Sequence, residues 1–232
     1  DALFTLSESV AEDIGQLAPG KPVDTSPHPI YDLFGTKPAK TEAIEKLSLD
    51  PGSEYILFFG FVRRYKGLDL LLEGFASVLK DLPEVKLIVA GEFYDEKQPY
   101  LDLLGELNLG DRVVIMDEYI PEEDVKYYFA AASLVAQPYR TATQSGVTQI
   151  AYHFDRPMLV TDVGGLAEIV PDGKAGFVVK PEPEAIGTAI ARFFREDREE
   201  EFAKNVQKEK VRFSWDHFTS RFLSFVNKIN AD

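Results

Sequence analysis

The chain has 232 residues, 45% of them hydrophobic and 28% charged, and its net charge is -14. This acidic balance disfavours a general nucleic-acid-binding surface, which needs a positive potential. The absence of cysteine excludes disulfides and thiolate metal sites, and the three histidines show no metal-ligand spacing. A phosphate-bearing ligand is compatible with this composition if the chain holds a local basic cluster.

The first residues predict a small strand–helix unit. Residues 3–6 form a short strand-like run, Ser7 is a candidate N-cap, and residues 8–17 have a helical pattern. The prolines that follow indicate extended backbone. We expect residues 1–25 to be the remainder of a preceding domain, 26–37 to be a linker, and 38–232 to form the main domain with C-terminal helices.

Strand-like and helical patterns then alternate, which predicts an α/β fold with a doubly wound, Rossmann-like parallel sheet. The predicted strands cover residues 55–60, 85–91, 113–116, 133–136, 157–161 and 176–179. The predicted helices cover residues 68–82, 98–107, 122–132, 182–194 and 195–212, with a further helix near 145 and a last one that starts at Ser214. In such a sheet, ligands bind at the carboxyl ends of the strands.

The loop after the first long strand is rich in cations. Gly60 would let the backbone pass close to a ligand. Arg63, Arg64 and Lys66 offer the positive charge that a diphosphate needs. A solvated charged turn is the alternative interpretation.

Two later loops also follow predicted strands. One carries Arg140, Thr143, Ser145, Gly146 and Val147, where free N–H groups at a helix N-terminus would bind an anion. Ordinary capping by the hydroxyl residues is the alternative there.

The other loop contains Gly164 and Gly165, with Glu168 in the helical turn behind them. The glycines allow a close approach of the backbone to a ligand. A plain βα turn with a carboxylate at the helix dipole explains the same residues.

Residues 56–194 resemble the C-terminal, donor-binding domain of the retaining family-4 glycosyltransferases, which have the two-domain GT-B fold. The resemblance lies in motifs that occur in the family's order and spacing. They are Phe58-Phe59-Gly60, Tyr65-Lys66-Gly67-Leu68-Asp69, Val89-Ala90-Gly91-Glu92, Tyr119-Ile120-Pro121-Glu122, Gln137-Pro138-Tyr139, Pro157-Met158-Leu159-Val160-Thr161-Asp162-Val163-Gly164-Gly165 and Glu168-Ile169-Val170-Pro171-Asp172-Gly173.

The resemblance implies that a sugar is transferred from a UDP or GDP sugar with retention of the anomeric configuration. Arg63 and Lys66 would grip the diphosphate, and the amides of residues 145–147 would hold its phosphates. Tyr119 and Ile120 would lie beside the base, with Gly91 and Glu92 in the same donor site. The acceptor, a glycan or a lipid-linked molecule in bacterial polysaccharide biosynthesis, would bind to the preceding domain.

One departure concerns the two glutamates that the family usually places eight positions apart. Ala142 and Ile150 stand there when the motif is aligned from its C-terminal side. When the motif is aligned from Pro138 on its N-terminal side, Thr143 or Gln144 is nearest the first position. We expect Gln144 to hydrogen-bond sugar hydroxyls, without bringing charge, as the third catalytic residue. A non-catalytic nucleotide-binding or interaction module that has lost the pair is the alternative.

The expected partners and location follow from this resemblance together with the acidic charge, the absence of cysteine and the lack of metal-ligand spacings. We expect a nucleotide sugar as substrate, no cofactor and no metal, and no nucleic acid. We expect a cytoplasmic location, with any attachment to the inner membrane made through the acceptor domain. The isolated chain would bind the donor without transferring its sugar.

Overall fold

The computed structural model describes residues 1–231, with side chains described as far as residue 230. The chain begins with a βαβ unit: β1 (Leu3–Thr5), α1 (Glu8–Leu17) and β2 (Val23–Thr25), whose two strands pair in parallel. Ser7 is the N-cap of α1, as predicted, and its hydroxyl accepts the N–H of Val10 at 3.4 Å. The strand β2 was not predicted, because three residues carry no readable alternation.

Residues 26–37 contain neither helix nor strand and run across the main domain, where the N–H of Ile30 donates to the carbonyl of Phe213 at 2.9 Å. A helix, α2 (Lys40–Lys46), follows. It was not predicted either, because seven residues with a single buried pair, Ala43 and Ile44, give too short a period to recognise.

The main domain is a six-stranded parallel sheet covered by helices on both faces, which confirms the predicted fold class. Its strands are β3 (Glu54–Phe59), β4 (Val85–Ala90), β5 (Val113–Met116), β6 (Leu134–Gln137), β7 (Met158–Thr161) and β8 (Gly176–Val179). Its helices are α3 (Leu68–Val78), α4 (Gln98–Glu106), α5 (Glu122–Ala131), α6 (Gly146–His153), α7 (Leu166–Ile169), α8 (Pro183–Arg195) and α9 (Glu199–Glu209).

The strand order is β5-β4-β3-β6-β7-β8. The chain leaves β3 towards one edge and later returns to β6 to build the other edge, so the order reverses between these two central strands. Successive residues of β3 face opposite sides of the sheet. Tyr55 and Leu57 pack with α2, α5 and α6, whereas Ile56 and Phe58 pack with α3 and α8. This double cover explains why β3 reads as a continuous apolar run.

One predicted helix is wrong in its extent. Residues 195–212 were expected to be continuous, but the structure ends α8 at Arg195 and starts α9 at Glu199. Asp197 lies between them in the left-handed region, with φ +49°. Its N–H donates to the carbonyl of Phe194 at 3.2 Å, which closes α8. A 3₁₀ turn over Lys210–Phe213 then ends α9.

The last helix, α10 (Trp215–Ala231), returns to the opening βαβ unit. The ring of Phe4 in β1 lies 5.7 Å from that of Phe218 and 5.2 Å from that of Phe222, both edge to face. Arg221 pairs with Asp24 in β2 at 2.8 Å. Such aromatic pairs add about 0.5–1.5 kcal/mol each beyond the area they bury. Among residues 1–231, every helix is too short or too polar to cross a membrane.

Candidate functional site

The loops predicted to bind phosphate meet where the strand order reverses. Residues 60–67 follow β3, and residues 138–145 follow β6, its direct neighbour in the sheet. Parallel strands place their carboxyl ends on one edge, so these loops lie side by side. Direct contacts join them: the N–H of Arg140 donates to the carbonyl of Tyr65 at 2.7 Å.

Gly60, Lys66 and Val147 come together at this edge. Gly60 has φ +90°, a conformation that side chains rarely adopt. A Cβ atom placed on Gly60 would lie 3.1 Å from the Lys66 ammonium nitrogen and 3.9 Å from a methyl group of Val147. Val147 is in the first turn of α6, so the lysine head group lies beside the N-terminus of that helix.

Lys66 is a buried residue whose cation forms no ion pair within the part of the chain that the structure describes. Its relative exposure is 8%, and the lysine ammonium lies 5.8 Å from the ring centre of Tyr139. Loss of water, together with the positive charge of Arg63, lowers the pKa of Lys66 to about 8. Among the described residues, no carboxylate raises it again. A buried ammonium in this state gains free energy when an anion approaches.

The three arginines of the sequence hypothesis occupy different places. The guanidinium of Arg63 lies over the ring of Tyr94, 3.9 Å from its centre, and is close enough to Lys66 to act on its pKa. Arg64 lines a neighbouring groove with Tyr94 and Tyr100.

Arg140 makes two hydrogen bonds of 2.8 Å to the carboxylate of Asp69 at the start of α3. This planar pair neutralises the guanidinium and ties the loop after β6 to α3. A direct role of Arg140 in donor binding stays a prediction, and the contact seen is structural.

The N-terminus of α6 has open N–H groups. Ser145 takes the N-cap position but does not cap with its side chain; its hydroxyl lies 3.2 Å from that of Tyr139. Among residues 1–230, no side chain accepts a hydrogen bond from the N–H groups of Gly146 and Val147. They point from a helix N-terminus, where an anion is stabilised.

Gln144 and Gly146 border a cavity of about 20 Å³, together with His28 and Tyr31 of the linker. Gln144 is half-buried and Thr143 exposed. The ring of Tyr31 lies 3.4 Å from the point where a Gly146 side chain would begin. Sequence reasoning gave no site role to Tyr31, because nothing in the sequence relates a linker aromatic to a helix that begins 115 residues later. Tyr139 was part of a family motif but was given no role beside Lys66, and Tyr94 was not singled out.

A cleft of about 160 Å³ adjoins Gly60. Its lining contains Gly91, Glu92, Tyr119 and Ile120, all predicted, together with Phe59, Phe61 and Glu118. Gly91 is essential to the shape, since a Cβ atom there would lie 2.6 Å from the carbonyl oxygen of Gly60. Tyr119 is 69% exposed and forms an open aromatic wall. The cleft is thus an apolar slot beside the lysine, with a size suited to a flat ring.

The third predicted loop contacts other protein groups. A side chain on Gly164 would overlap the carbonyl of Ala142, and one on Gly165 would overlap that of Thr143. Both oxygens of Glu168 accept backbone N–H groups of α1, from Glu8 at 2.8 Å and from Ser9 at 2.9 Å. These residues therefore hold α1 and residues 138–145, the second of the predicted phosphate-binding loops (the phosphate loop). Donor contact by them stays a prediction.

The family model for glycosyl transferases group 1 matches residues 53–196, which include β3 to β8 and the whole of this edge. The chain belongs to the group 1 glycosyltransferases. Among curated bacterial relatives, the D-inositol 3-phosphate glycosyltransferase of Mycolicibacterium gilvum is 29% identical over 240 residues, covering 100% of this chain and 53% of that protein. The lipopolysaccharide core biosynthesis mannosyltransferase LpsB of Rhizobium meliloti is 30% identical over 169 residues, covering 68% and 46%.

Solved structures show that this group 1 glycosyltransferase chain has the fold of one part of the GT-B architecture. Anabaena Alr3699/HepE, solved in complex with UDP-glucose, superposes with a TM-score of 0.76 at 19% identity. The match covers 100% of this chain and 64% of HepE. The chain spans about half the length of the curated relatives it matches.

Proposed function

We propose that this chain is the donor-binding half of a retaining glycosyltransferase and that it binds a nucleoside-diphosphate sugar. The observation that carries the proposal is Lys66: a lysine that is 8% exposed at the switch point of the sheet, beside the N-terminus of α6, and whose ammonium pairs with no carboxylate among the described residues. A diphosphate supplies the missing negative charge. The UDP-glucose complex of HepE, which shares the fold, supports the same class of ligand.

In this proposal the base occupies the cleft between Gly60, Gly91 and Tyr119, and its ring packs against Tyr119. The diphosphate lies between Lys66 and the amides of Gly146 and Val147. Arg63, which is free of ion pairs among the described residues and rests on Tyr94, reaches the same phosphates. Both cations belong to a protein of net charge -14. The positive potential that they create is therefore confined to this edge of the sheet.

The chemistry follows from those charges. When the bond between the anomeric carbon and the β-phosphate oxygen breaks, the electron pair stays with the nucleoside diphosphate. Lys66, Arg63 and the α6 N-terminus stabilise that developing charge, which is the electrostatic form of catalysis. Gln144 at the mouth of α6 offers an amide that both donates and accepts hydrogen bonds, suited to sugar hydroxyls. The new bond forms between the anomeric carbon and the hydroxyl oxygen of the acceptor substrate, and the proton of that hydroxyl passes to the departing phosphate oxygen.

Calorimetric titration of the chain with UDP, GDP and ADP, with and without magnesium, tests the proposal. We expect saturable binding of one nucleotide and a loss of about 30-fold or more in Lys66→Ala, since charge-assisted contacts to phosphate contribute about 2 kcal/mol or more. The exposed Lys80, two residues beyond the C-terminal end of α3, provides the matched control Lys80→Ala. Absence of binding for all three nucleotides, or equal binding by both variants, would refute the site.

A non-catalytic module is the second candidate, and one observation favours it. The positions of the family's usual glutamates hold Ala142, whose carbonyl packs against Gly164, and Ile150, which is 8% exposed in the core. Neither brings charge to the site. This candidate predicts that the full-length protein, given a nucleotide sugar that it binds, releases no nucleoside diphosphate. If nucleoside diphosphate is released and the Gln144→Ala variant abolishes that release, the non-catalytic candidate is excluded.

A further inference from the structure

Glu168 makes a contact that the donor site does not require. It lies in the short helix α7, and its two carboxylate oxygens accept the N–H groups of Glu8 and Ser9, 160 and 159 residues away. These are the first two residues of α1. A carboxylate at a helix N-terminus satisfies free donors and interacts favourably with the helix dipole, and such charge-assisted bonds are among the stronger ones.

The attachment of α1 depends on a few polar contacts of this kind. None of the side chains of α1 is fully buried, and Leu17 at its end is 85% exposed. The helix therefore gains little from apolar packing, and its N-terminal end is held by Glu168 and by Ser7. A Cβ atom on Gly165 would lie 3.0 Å from that of Ser7, so the two segments are in close contact.

The other side of the Glu168 segment touches the phosphate loop. Gly164 and Gly165 lie against the carbonyls of Ala142 and Thr143 so closely that neither position has room for a side chain. Residues 164–168 are thus enclosed between α1 and the loop that leads through Gln144 into α6. A displacement of α1 would be transmitted to that loop, because close-packed backbone does not deform smoothly.

We infer that Glu168 is a positioning residue, which holds the βαβ unit of residues 3–25 against residues 164–165 and thereby fixes the phosphate loop. Glu168 does not touch the donor in this inference. It acts through Gly164, Gly165, Ala142 and Thr143. The inference rests on the proposed function for its effect on nucleotide affinity, but its structural part is independent of any nucleotide.

Two measurements on the 232-residue chain test the inference. Hydrogen exchange reports the protection of amides 140–147 without nucleotide, and calorimetry reports UDP affinity. The variants are Glu168→Ala and the milder Glu168→Gln, which keeps one acceptor oxygen but no charge. Arg221→Ala is the matched control, because it breaks the 2.8 Å ion pair with Asp24 and loosens the same βαβ unit at its other side.

We expect Glu168→Ala to speed exchange of amides 140–147 by about 5-fold and to weaken UDP binding by about 3- to 10-fold, the size of a lost helix cap. Glu168→Gln should fall between Glu168→Ala and the wild type, and it replaces the alanine variant if that one does not fold. Arg221→Ala should leave both quantities within about 2-fold. Unchanged exchange of residues 140–147 in both glutamate variants, or equal effects of Arg221→Ala, would overturn the inference.

The design separates this inference from the proposed function. If the wild-type chain binds no nucleotide, the proposed function fails, while the exchange of amides 140–147 still decides the role of Glu168. If UDP binds and depends on Lys66 but Glu168→Ala leaves both affinity and exchange unchanged, the proposed function stands and the positioning role is refuted.

Discussion

At the residue scale, Lys66 shows how a binding group differs from a structural one. Arg140, in the neighbouring loop, has its charge neutralised by Asp69 and contributes to the fold. Lys66 is more deeply buried, and its ammonium has no such partner among the described residues. An unpaired buried charge destabilises the free protein, so its presence is best explained by a ligand that compensates it.

This cost predicts that Lys66→Met stabilises the protein while it removes nucleotide binding. Methionine has nearly the same shape and no charge to desolvate. The pKa falls from 10.5 to about 8, which corresponds to at most about 3 kcal/mol at pH 7. Urea denaturation should show a gain of about 1–3 kcal/mol, with Lys80→Met unchanged. A less stable Lys66→Met chain would mean that the ammonium has a partner in the free protein.

The pH dependence has a definite sign. The folded pKa of Lys66 is lower than the unfolded one, so between about pH 8 and 10.5 the unfolded chain holds more protons. Wild-type stability therefore rises relative to Lys66→Met across that window. Nucleotide binding needs the charged form, so UDP affinity should be constant near pH 7 and fall above pH 8. Calorimetry between pH 7 and 9.5 checks this, and a flat profile would contradict it.

At the scale of elements, the short α7 segment connects the third loop to the rest of the site. Gly164→Ala and Gly173→Ala form a matched pair for testing this, because both glycines have positive φ, at +48° and +68°. Only Gly164 faces another backbone, since the space at Gly173 is open. Both variants should lose about 1 kcal/mol to backbone strain.

Gly164→Ala alone should also displace the carbonyl of Ala142 and weaken UDP binding, by about 10-fold if the phosphate loop moves as a unit. Denaturation and calorimetry on both variants separate the two effects. Equal UDP affinity in the two variants would show that the phosphate loop accommodates the added methyl group without displacing α6.

The elements of the main domain also show which parts of the structure could be predicted from the sequence. All six strands of the main sheet were predicted to within about a residue at each end, because a parallel strand covered on both faces is a continuous apolar run. The position of Lys66, Gly60 and the start of α6 at one edge follows from the same pattern. The helix break at Asp197 did not follow, since one left-handed residue within a charged, helix-prone stretch leaves no periodic signal.

Contacts between segments that are distant along the chain could not be predicted from the sequence, for a different reason. The sequence predicted that Glu168 lies in the first turn of its own helix, and the structure places it there. Its partners are amides of α1 near the start of the chain, and no local pattern encodes that choice. Arg140 and Tyr31 are similar cases, because burial and pairing depend on how the loops pack once the sheet has formed.

At the scale of the whole molecule, the site lies open. Tyr119 is 69% exposed and Phe61 48%, both beside the cleft proposed for the base. Leu17 on α1, and Trp215 and Leu223 on α10, are also exposed to solvent. Transfer of a sugar needs an oriented acceptor and the exclusion of water, and neither is provided by one open edge of a sheet.

This openness predicts that the 232-residue chain binds nucleotide but transfers no sugar. With UDP-glucose, UDP release above the uncatalysed rate should be absent, while calorimetry under the same conditions shows saturable binding that Lys66→Met removes. A full-length curated relative, of which this chain covers about half, is the positive control for the release assay. Steady UDP release by the chain alone would show that the described residues already form a complete active site.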